Sequence, residues 1–425
     1  MFLFVTKLGT GIIVARILGP TALGIWVILS MVPSYAEAFG RSKADNAAVY
    51  FLGQKTFRRE DVLLNLNLIA LASAGLILSL ILWQFEPIYD WLFKNDTSNH
   101  KTELLVLLIQ IPLNFFYLNY TYFHIAHENI RVYNRMVVTN ALSNSFTVIC
   151  LLTLTTIGLW SVILGGLIGS SLALLYGWFS IDRNGWVKGL PSKQVSVALF
   201  RYGIHFYLAG ILGQLQQTGT NLFAVAFLVP AQMAFLAQAQ GVGLLLDNVV
   251  RPINTLLFPR VSSSSQNEAV EITCKAFRIT TILMFASGLV LMMVAEPLIV
   301  LLYGPEFQPT ALVVRYLIPG LVIVGVGGTL INYFSGIGQA SIIPKIQALP
   351  LILQLSLAWV FLQWWGLAGA AIAISIGGVL YGLMLILIFK KLSGVSYSLL
   401  IPSLADIIYI KSFAKNQINK LLNYS

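Results

Sequence analysis

The chain is poor in charge. Asp, Glu, Lys and Arg make up 10% of its 425 residues, against about 25% in a typical soluble domain. So few charged groups cannot cover a surface that faces water, which excludes an assembly of two or three soluble domains. Cysteine is nearly absent as well, because only Cys150 and Cys274 occur, in or beside apolar runs. A secreted scaffold held by disulfides is therefore excluded.

Groups that carry out chemistry are also scarce. The chain has four histidines and contains no HExxH, CxxC, GxSxG or phosphate-binding P-loop motif. The sequence therefore predicts that the protein is not an enzyme and uses no metal or cofactor. Without a loop for ATP, any transport must draw on an ion gradient, the membrane voltage or the gradient of the substrate itself.

Long apolar stretches account for the 57% of residues that are hydrophobic. Ile17–Ala36, Val62–Phe85 and Leu104–His127 contain no charged residue and are each about 20 residues long, the length that crosses a bilayer as a helix. Three longer runs break near their middles and predict helical hairpins. The predicted helices are 1–19, 21–44, 62–93, 103–126, 134–156, 159–181, 201–229, 231–258, 272–303, 311–336, 345–365 and 367–391. An all-α integral membrane protein with about 12 transmembrane helices is expected.

Basic residues are distributed unevenly between the two sides of these helices. The net charge is +10, and most Lys and Arg residues fall in the loops of one side, which predicts that this side and both termini are cytoplasmic. The other side holds only Arg16, Lys94, Lys101 and Arg315. Because the basic residues flank apolar segments and form no patch, membrane lipids and not nucleic acid are the predicted partners.

An internal repeat appears when the chain is shifted by 210 positions. Ile17–Pro20 then aligns with Phe227–Pro230, and Glu86-Pro87 aligns with Glu296-Pro297. The repeat predicts two pseudo-symmetric six-helix bundles with a central cavity, in residues 1–190 and 191–392, followed by a cytoplasmic amphipathic tail in 393–425. An even number of helices per copy gives both copies the same orientation, an arrangement used by transporters. The first helix is shorter than its copy and is predicted to be truncated.

One acid–base pair occurs at the same place in both copies. Glu37 and Arg41 are four residues apart and share a helix face, as do Asp247 and Arg251, 210 positions later. Two interpretations are open. Each pair could be a neutralising ion pair near the inner interface. Alternatively, since intramembrane charges are costly and often functional, the acids bind a coupling proton or cation and the arginines bind an anionic substrate.

Other polar residues extend the predicted substrate path. Lys7 on the first helix aligns with Gln217 on the seventh, and Asn221 lies one helical turn beyond Gln217. We expect helices 1 and 7 to face the cavity with these side chains, the alternative for Lys7 being a lysine that extends its stem to the interface. Arg16 and Arg315 lie near outer helix ends, as interface anchors or as phosphate contacts on the exit side.

Several motifs resemble the multidrug/oligosaccharidyl-lipid/polysaccharide (MOP) exporter superfamily, in particular its Wzx-type polysaccharide flippase branch. Ala15–Trp26 is similar to the join between helices 1 and 2 of that branch, and Asn254–Ser262 is similar to its helix 8 exit. Leu301–Phe307 resembles the end of its helix 9, and Gly336–Gln339 resembles the join after helix 10. Many relatives carry an acid on helix 7, where this chain reads Gln216–Asn221, so coupling is expected at Glu37 and Asp247 instead.

The resemblance implies translocation of an undecaprenyl-pyrophosphate-linked oligosaccharide from the inner to the outer leaflet of a bacterial inner membrane. It implies an O-antigen, capsule or exopolysaccharide pathway, with a polysaccharide polymerase and a chain-length regulator as candidate partners. Three rivals remain. A multidrug exporter of the same superfamily would favour an acidic cavity, and a membrane polymerase would need a large outer loop. A structural scaffold would leave the repeated charged pair unexplained.

Overall fold

All regular secondary structure within the described residues is helical. The computed structural model describes residues 2–96, 98–181, 189–408 and 411–412, so part of the predicted 393–425 tail lies outside them. The helices are α1 (Phe2–Gly40), α2 (Ala44–Gly53), α3 (Arg59–Trp83), α4 (Phe85–Leu92), α5 (Lys101–Leu107), α6 (Gln110–Ala126), α7 (Ile130–Leu154), α8 (Leu159–Phe179), α9 (Lys193–Ala224), α10 (Pro230–Ser263), α11 (Gln266–Tyr303), α12 (Pro309–Gly336) and α13 (Ile342–Ser393).

Two of these helices, α1 and α13, are each two helical legs joined at a glycine. Gly19 in α1 has φ 72° and Gly366 in α13 has φ 53°, a backbone conformation that other residues rarely adopt. Among the described residues, nine helices are long and apolar enough to cross a membrane, and α9 makes a tenth. Counting the legs of α1 and α13 separately gives twelve spans, which confirms the predicted fold class.

The backbone also carries the internal repeat. Gly158, before α8, has φ 54° and ψ −115°, and Gly366, 208 positions later, has φ 53° and ψ −125°. Each glycine lies at a tight joint, after the short segment 155–157 in the first case and with no intervening residue in the second, so the helix after it packs against the helix before it. The helix before the first joint, α7, ends at Leu154. The helix before the second joint, the first leg of α13, ends near Trp365. The matched joints fit the pseudo-symmetry predicted from the sequence.

The chain divides into two compact units. Unit 1 comprises residues 1–234 and 302–306, and unit 2 comprises residues 235–301 and 307–425. Within unit 2, α12 and α13 pack through small residues, since a methyl group at Gly320 would lie 2.6 Å from the Cα of Ser375. The Ser375 hydroxyl accepts a hydrogen bond of 2.9 Å from the Gly320 N–H. Close helix packing through small residues is typical of membrane bundles. The predicted boundary between residues 190 and 191 stays a prediction.

Within unit 1, α9 is fixed at its start by a buried asparagine. Asn65 on α3 is 1% exposed; its Nδ2 donates to the Leu190 carbonyl at 3.1 Å. Its Oδ1 accepts from the Ser192 N–H at 3.0 Å and from the Ser196 hydroxyl at 2.8 Å. The carboxylate of Asp61, one turn earlier, accepts from the Leu190 N–H at 2.8 Å. These bonds hold the residues that precede α9 against α3.

Candidate functional site

The acid–base pair in the first copy is a buried ion-pair cluster with a third member. Arg41 Nη1 lies 3.2 Å from Glu37 Oε1, and Nη2 of the same guanidinium contacts the Asp45 carboxylate. Arg41 is 6% exposed and Asp45 is 1% exposed. The guanidinium carbon also lies 5.6 Å from the centre of the Tyr122 ring, within the range of a cation–π contact. The positive charge of Arg41 is therefore compensated on several sides inside unit 1.

A break in the helix brings Asp45 to Arg41. Helix α1 ends at Gly40 and α2 begins at Ala44, and Lys43 between them has a left-handed backbone with φ 56°. A carboxylate in the first turn of α2 is favoured by the partial positive charge of the helix N-terminus. Asp45 therefore stabilises the start of α2 and pairs with Arg41 at the same time. We name residues 41–43 the elbow.

The elbow packs on α9, which is part of the same unit. A methyl group at Gly203 would lie 2.8 Å from the Ser42 carbonyl oxygen, and one at Gly210 would lie 3.1 Å from Lys43 Cε. Further along α9, the Tyr207 hydroxyl donates to the Phe39 carbonyl at 2.7 Å. The Tyr35 hydroxyl donates to the Thr218 carbonyl at 2.6 Å. The second leg of α1 and the elbow thus contact α9 over much of its length.

The second copy of the acid–base pair is open. Asp247 and Arg251 are both exposed on α10, which runs without a break from Pro230 to Ser263. In the described part of the chain, no carboxylate oxygen of Asp247 comes within 4 Å of the Arg251 guanidinium, whereas Glu37 and Arg41 do form such a pair. The residue one turn after Arg251 is Thr255, whose hydroxyl donates to the Arg251 carbonyl at 2.9 Å. Within the described residues, the Arg251 guanidinium is therefore exposed and makes no ion pair with Asp247.

Arg251 lines a small polar cleft in unit 2, between α10 and α12. The cleft has a volume of about 300 Å³ and is lined by Asp247, Val250, Arg251, Asn254, Thr255 and Asn332. Gly328 leaves room for Asn254, because a methyl group there would lie 2.9 Å from the Asn254 Nδ2. Asn254 Oδ1 is buried and has no protein partner in the described chain. One guanidinium, one carboxylate, two amides and one hydroxyl thus meet in a space that fits a small charged group.

The remaining residues predicted for the substrate path fall into two groups. Lys7 and Gln217 are exposed, and Gly9 and Gly11 beside Lys7 have open space where a side chain would be. Asn221, in contrast, is 6% exposed and lies in the interior of unit 1. Lys7 and Gln217 are therefore accessible from outside unit 1, whereas Asn221 is not.

The two arginines near the predicted outer ends are engaged with protein groups. Arg16 Nε donates to the Leu302 carbonyl at 2.8 Å within unit 1. In unit 2, Arg315 Nη2 lies 3.7 Å from Glu296 Oε2. These contacts are of the kind expected for residues that anchor helix ends. A role in binding phosphate on the exit side stays a prediction for both.

Sequence reasoning did not identify Asp45 or the elbow. Asp45 follows Arg41 by four residues, a spacing that pairs side chains on a continuous helix, but the predicted span ended at residue 44 and placed Asp45 in a loop. The sequence also shows that the position 210 residues after Asp45 is a threonine, Thr255, and not an acid. The helical spacing of charges across both copies was the signal that would have found it.

A larger cleft in unit 1 is lined differently. It has a volume of about 700 Å³ and includes Lys193, Arg201, Phe51 and Tyr202. Its two cations lie in the first turns of α9 on the side predicted to be rich in basic residues. It contains no member of the repeated acid–base pairs. The cleft at Arg251, in contrast, contains Asp247 and Arg251 and is lined by α10, a helix long and apolar enough to span the membrane.

Solved structures of known transporters share this fold. A multidrug-resistance MATE family transporter of the MOP superfamily, in an inward-facing conformation, superposes with a TM-score of 0.74 at 17% identity, covering 92% of this chain and 94% of its own. The lipid II flippase MurJ, in an inward closed conformation, gives 0.73 at 18% identity, covering 92% and 86%. A MOP superfamily transporter from Pyrococcus furiosus gives 0.61 at 16% identity, covering 92% and 93%. At these identities the likeness shows the fold, which is that of a MOP superfamily membrane transporter.

The family model for "polysaccharide biosynthesis protein" matches residues 13–312. The chain therefore belongs to the polysaccharide biosynthesis protein family. Among curated protein sequences, none matches this chain. The chain thus belongs to a polysaccharide biosynthesis family and has the all-helical membrane fold that MOP superfamily transporters and the flippase MurJ share.

Proposed function

We propose that the chain moves an undecaprenyl-pyrophosphate-linked oligosaccharide from the inner to the outer leaflet of a bacterial cell membrane. The observation that carries the proposal is Arg251, an exposed arginine without a carboxylate partner, in a polar cleft of a membrane-spanning helix. A pyrophosphate and a large sugar do not cross hydrocarbon unaided, because burying a charge or an unpaired polar group is costly. A cation in a polar cleft lowers that cost for the headgroup.

The residues of the cleft suit this task. The planar guanidinium of Arg251 presents parallel N–H donors that match two phosphate oxygens. The amide groups of Asn254 and Asn332 lie beside it and add neutral N–H donors, while the Thr255 hydroxyl donates to the Arg251 carbonyl. A weakly neutralised site of this kind binds an anion and also releases it, which transport requires. The lipid tail stays in the bilayer throughout.

Asp247 supplies the proposed coupling step. Its carboxylate lines the same cleft as Arg251, so its charge opposes binding of an anion there. A proton or cation on Asp247 removes that opposition and favours the headgroup, and loss of the proton or cation favours release. Because the ion and the headgroup then bind together, a cation gradient directed outward could drive transfer from the inner to the outer leaflet without ATP. Glu37, by contrast, is paired with Arg41, so we propose Asp247 as the main coupling group.

The further predicted contacts complete the path. We propose that Lys7 and Gln217, which are exposed in unit 1, contact the substrate as it passes. Both termini are placed in the cytoplasm by the positive-inside rule. A polysaccharide polymerase and a chain-length regulator are the expected partners downstream, because a flipped repeat unit has to be joined to others outside.

A cellular experiment tests the substrate class. Deletion of the gene should abolish surface polysaccharide, while lipid-linked repeat units accumulate on the inner side. The wild-type gene and the Arg260→Gln variant should restore the polysaccharide, and Arg251→Gln should not at equal protein level. Normal surface glycan in the deletion strain counts against a flippase. Sensitivity of that strain to cationic drugs instead would favour a multidrug exporter.

A further inference from the structure

The strongest asymmetry between the two copies lies at one position. Position 45 is an aspartate and its counterpart, 210 residues later, is Thr255. Asp45 contacts the Arg41 guanidinium and is almost fully buried. Thr255 is exposed and directs its hydroxyl to a backbone carbonyl.

We infer that this one position assigns different roles to the two repeated arginines, so that the diphosphate headgroup is recognised at Arg251 in unit 2 and not at Arg41 in unit 1. The inference rests on the proposed function and goes further. It names Thr255 as a specificity-determining residue and assigns the headgroup site to unit 2 alone. Arg41 becomes a structural residue that holds the elbow and α2 together.

The environment of Arg41 supports this division. An arginine recognises phosphate when its N–H groups are free and can be reached. Both Nη atoms of Arg41 are engaged by carboxylates, and a Tyr122 ring covers one face of the group. A phosphate at this position would have to displace an acid and meet the negative charge of Glu37 and Asp45. The cluster therefore excludes an anionic ligand.

The environment of Arg251 is the opposite. Its neighbours one turn later and across the cleft are neutral hydrogen-bonding groups, Thr255 and Asn332, and the single acid is Asp247. An aspartate at position 255 would supply the second acid that Asp45 supplies in the first copy. It would pair with Arg251 across one helical turn and place a second negative charge in the cleft. The threonine is therefore the residue that leaves the cation available.

The test is a set of substitutions at position 255 in the full-length protein, purified in lipid nanodiscs. Thr255→Asp should weaken binding of farnesyl pyrophosphate at least tenfold, and the neutral, similarly sized Thr255→Asn should weaken it several-fold less than Thr255→Asp does, because it adds no charge. Ser262→Asp adds the same charge to an exposed position of α10 outside the cleft and should bind as wild type does. Because position 255 is exposed, all three variants should unfold at the wild-type temperature. Inorganic pyrophosphate, tested in parallel, shows whether the lipid part contributes.

Arg41→Gln and Arg251→Gln complete the design. Arg251→Gln should lose binding with little change in unfolding temperature, and Arg41→Gln should lose stability while the folded fraction binds normally. Wild-type binding by Thr255→Asp, or equal loss of binding in the two arginine variants, would overturn the inference while leaving a flippase intact. A wild-type protein that flips no pyrophosphate-linked lipid in vesicles would remove the proposed function itself.

Discussion

The guanidinium of Arg41 is ion-paired with the carboxylate of Asp45 across the break between α1 and α2. Glu37 completes the cluster at 3.2 Å from the same arginine. The counterpart of Asp45 in the second copy is Thr255, and Arg251 is left exposed. A duplicated sequence motif thus has two structural outcomes, one buried with two carboxylates on one arginine and one open with a single acid beside the arginine.

Removing Asp45 should destabilise unit 1. Asp45→Asn leaves the buried Arg41 with only Glu37, and a buried charge that loses a partner costs about 2 to 3 kcal/mol. The expected result is a clear drop in the thermal unfolding midpoint of the purified protein. Thr255→Asn is the matched control and should leave the midpoint unchanged, since Thr255 is exposed. Equal midpoints for Asp45→Asn and wild type would show that the cluster does not stabilise the fold.

The contact between the elbow and α9 depends on Gly203. In Gly203→Ala the new methyl group would lie 2.8 Å from the Ser42 carbonyl oxygen, so the elbow or α9 must shift, at a cost of about 1 to 3 kcal/mol. Gly213→Ala is the control on the same helix, because nothing lies within 4 Å of that position. It should be neutral, or stabilising by up to about 1 kcal/mol through helix propensity. Unfolding curves of the two variants check this, and the prediction is wrong if Gly203→Ala is the more stable of the two.

The attachment of α9 to α3 depends on Asn65. Asn65→Ala removes hydrogen bonds to Leu190, Ser192 and Ser196 and should cost about 2 to 3 kcal/mol, since buried partners are left unsatisfied. It should also speed proteolysis near residues 189–192. Asn67→Ala removes one bond of 3.3 Å to the Tyr120 hydroxyl and should cost about 1 kcal/mol. Similar cleavage rates in both variants would argue against a clamp at Asn65.

The C-terminal segment should stay attached over a wide pH range. Burial alone raises the pKa of Asp406, but hydrogen bonds from Arg278 and Ser403 outweigh it and hold the pKa at about 2. Arg278 Nε lies 2.9 Å from Asp406 Oδ2. The lowered pKa means that this stabilisation is complete above the unfolded-state pKa of about 3.9 and is lost as the pH falls towards 2.

Limited proteolysis checks this attachment. Wild-type protein should resist cleavage near residues 400–408 at pH 5 to 8, and Asp406→Asn should be cleaved faster throughout that range. Ser398→Ala is the control, because its hydroxyl bonds only to Ser396 at 3.1 Å. A protection that disappears already between pH 6 and 5 would point to a different titrating group.

The sequence predicted the helices well because hydropathy and glycine–proline breaks are local signals. The twelve predicted helices correspond to the observed spans, although 62–93 is divided into α3 and α4, 103–126 is divided into α5 and α6, and α2 was not predicted. In addition, α9 begins at Lys193 and not near Arg201, and α10 continues to Ser263. Both extensions carry polar residues that a hydropathy criterion assigns to loops. The ion pair between Glu37 and Arg41, one of the two interpretations open from the sequence, is present in the structure, whereas Asp247 and Arg251 at the same spacing, both among the described residues, form no such pair.

Other features needed the three-dimensional structure. The pairing of Asp45 with Arg41 crosses a helix break, and the bonds of Asn65 to Leu190 and Ser192 span more than 120 positions of the chain. The bonds of Asn65 depend on which helices pack together, and the four-residue spacing of Arg41 and Asp45 predicts a contact only once the backbone at the break is known. The roles of Lys7, Gln217 and Asp247 in transport stay predictions, since exposure alone does not identify a ligand.

Transport by the reconstituted protein tests the central claim most directly. The measurement is the rate at which a polyprenyl-pyrophosphate-linked oligosaccharide becomes accessible on the far side of proteoliposomes, compared among wild type, Arg251→Gln and Arg260→Gln. The predicted result is rapid flipping by wild type and Arg260→Gln and at least a tenfold loss in Arg251→Gln at equal folded protein. Flipping by Arg251→Gln at the wild-type rate would contradict the assignment of the headgroup to this arginine.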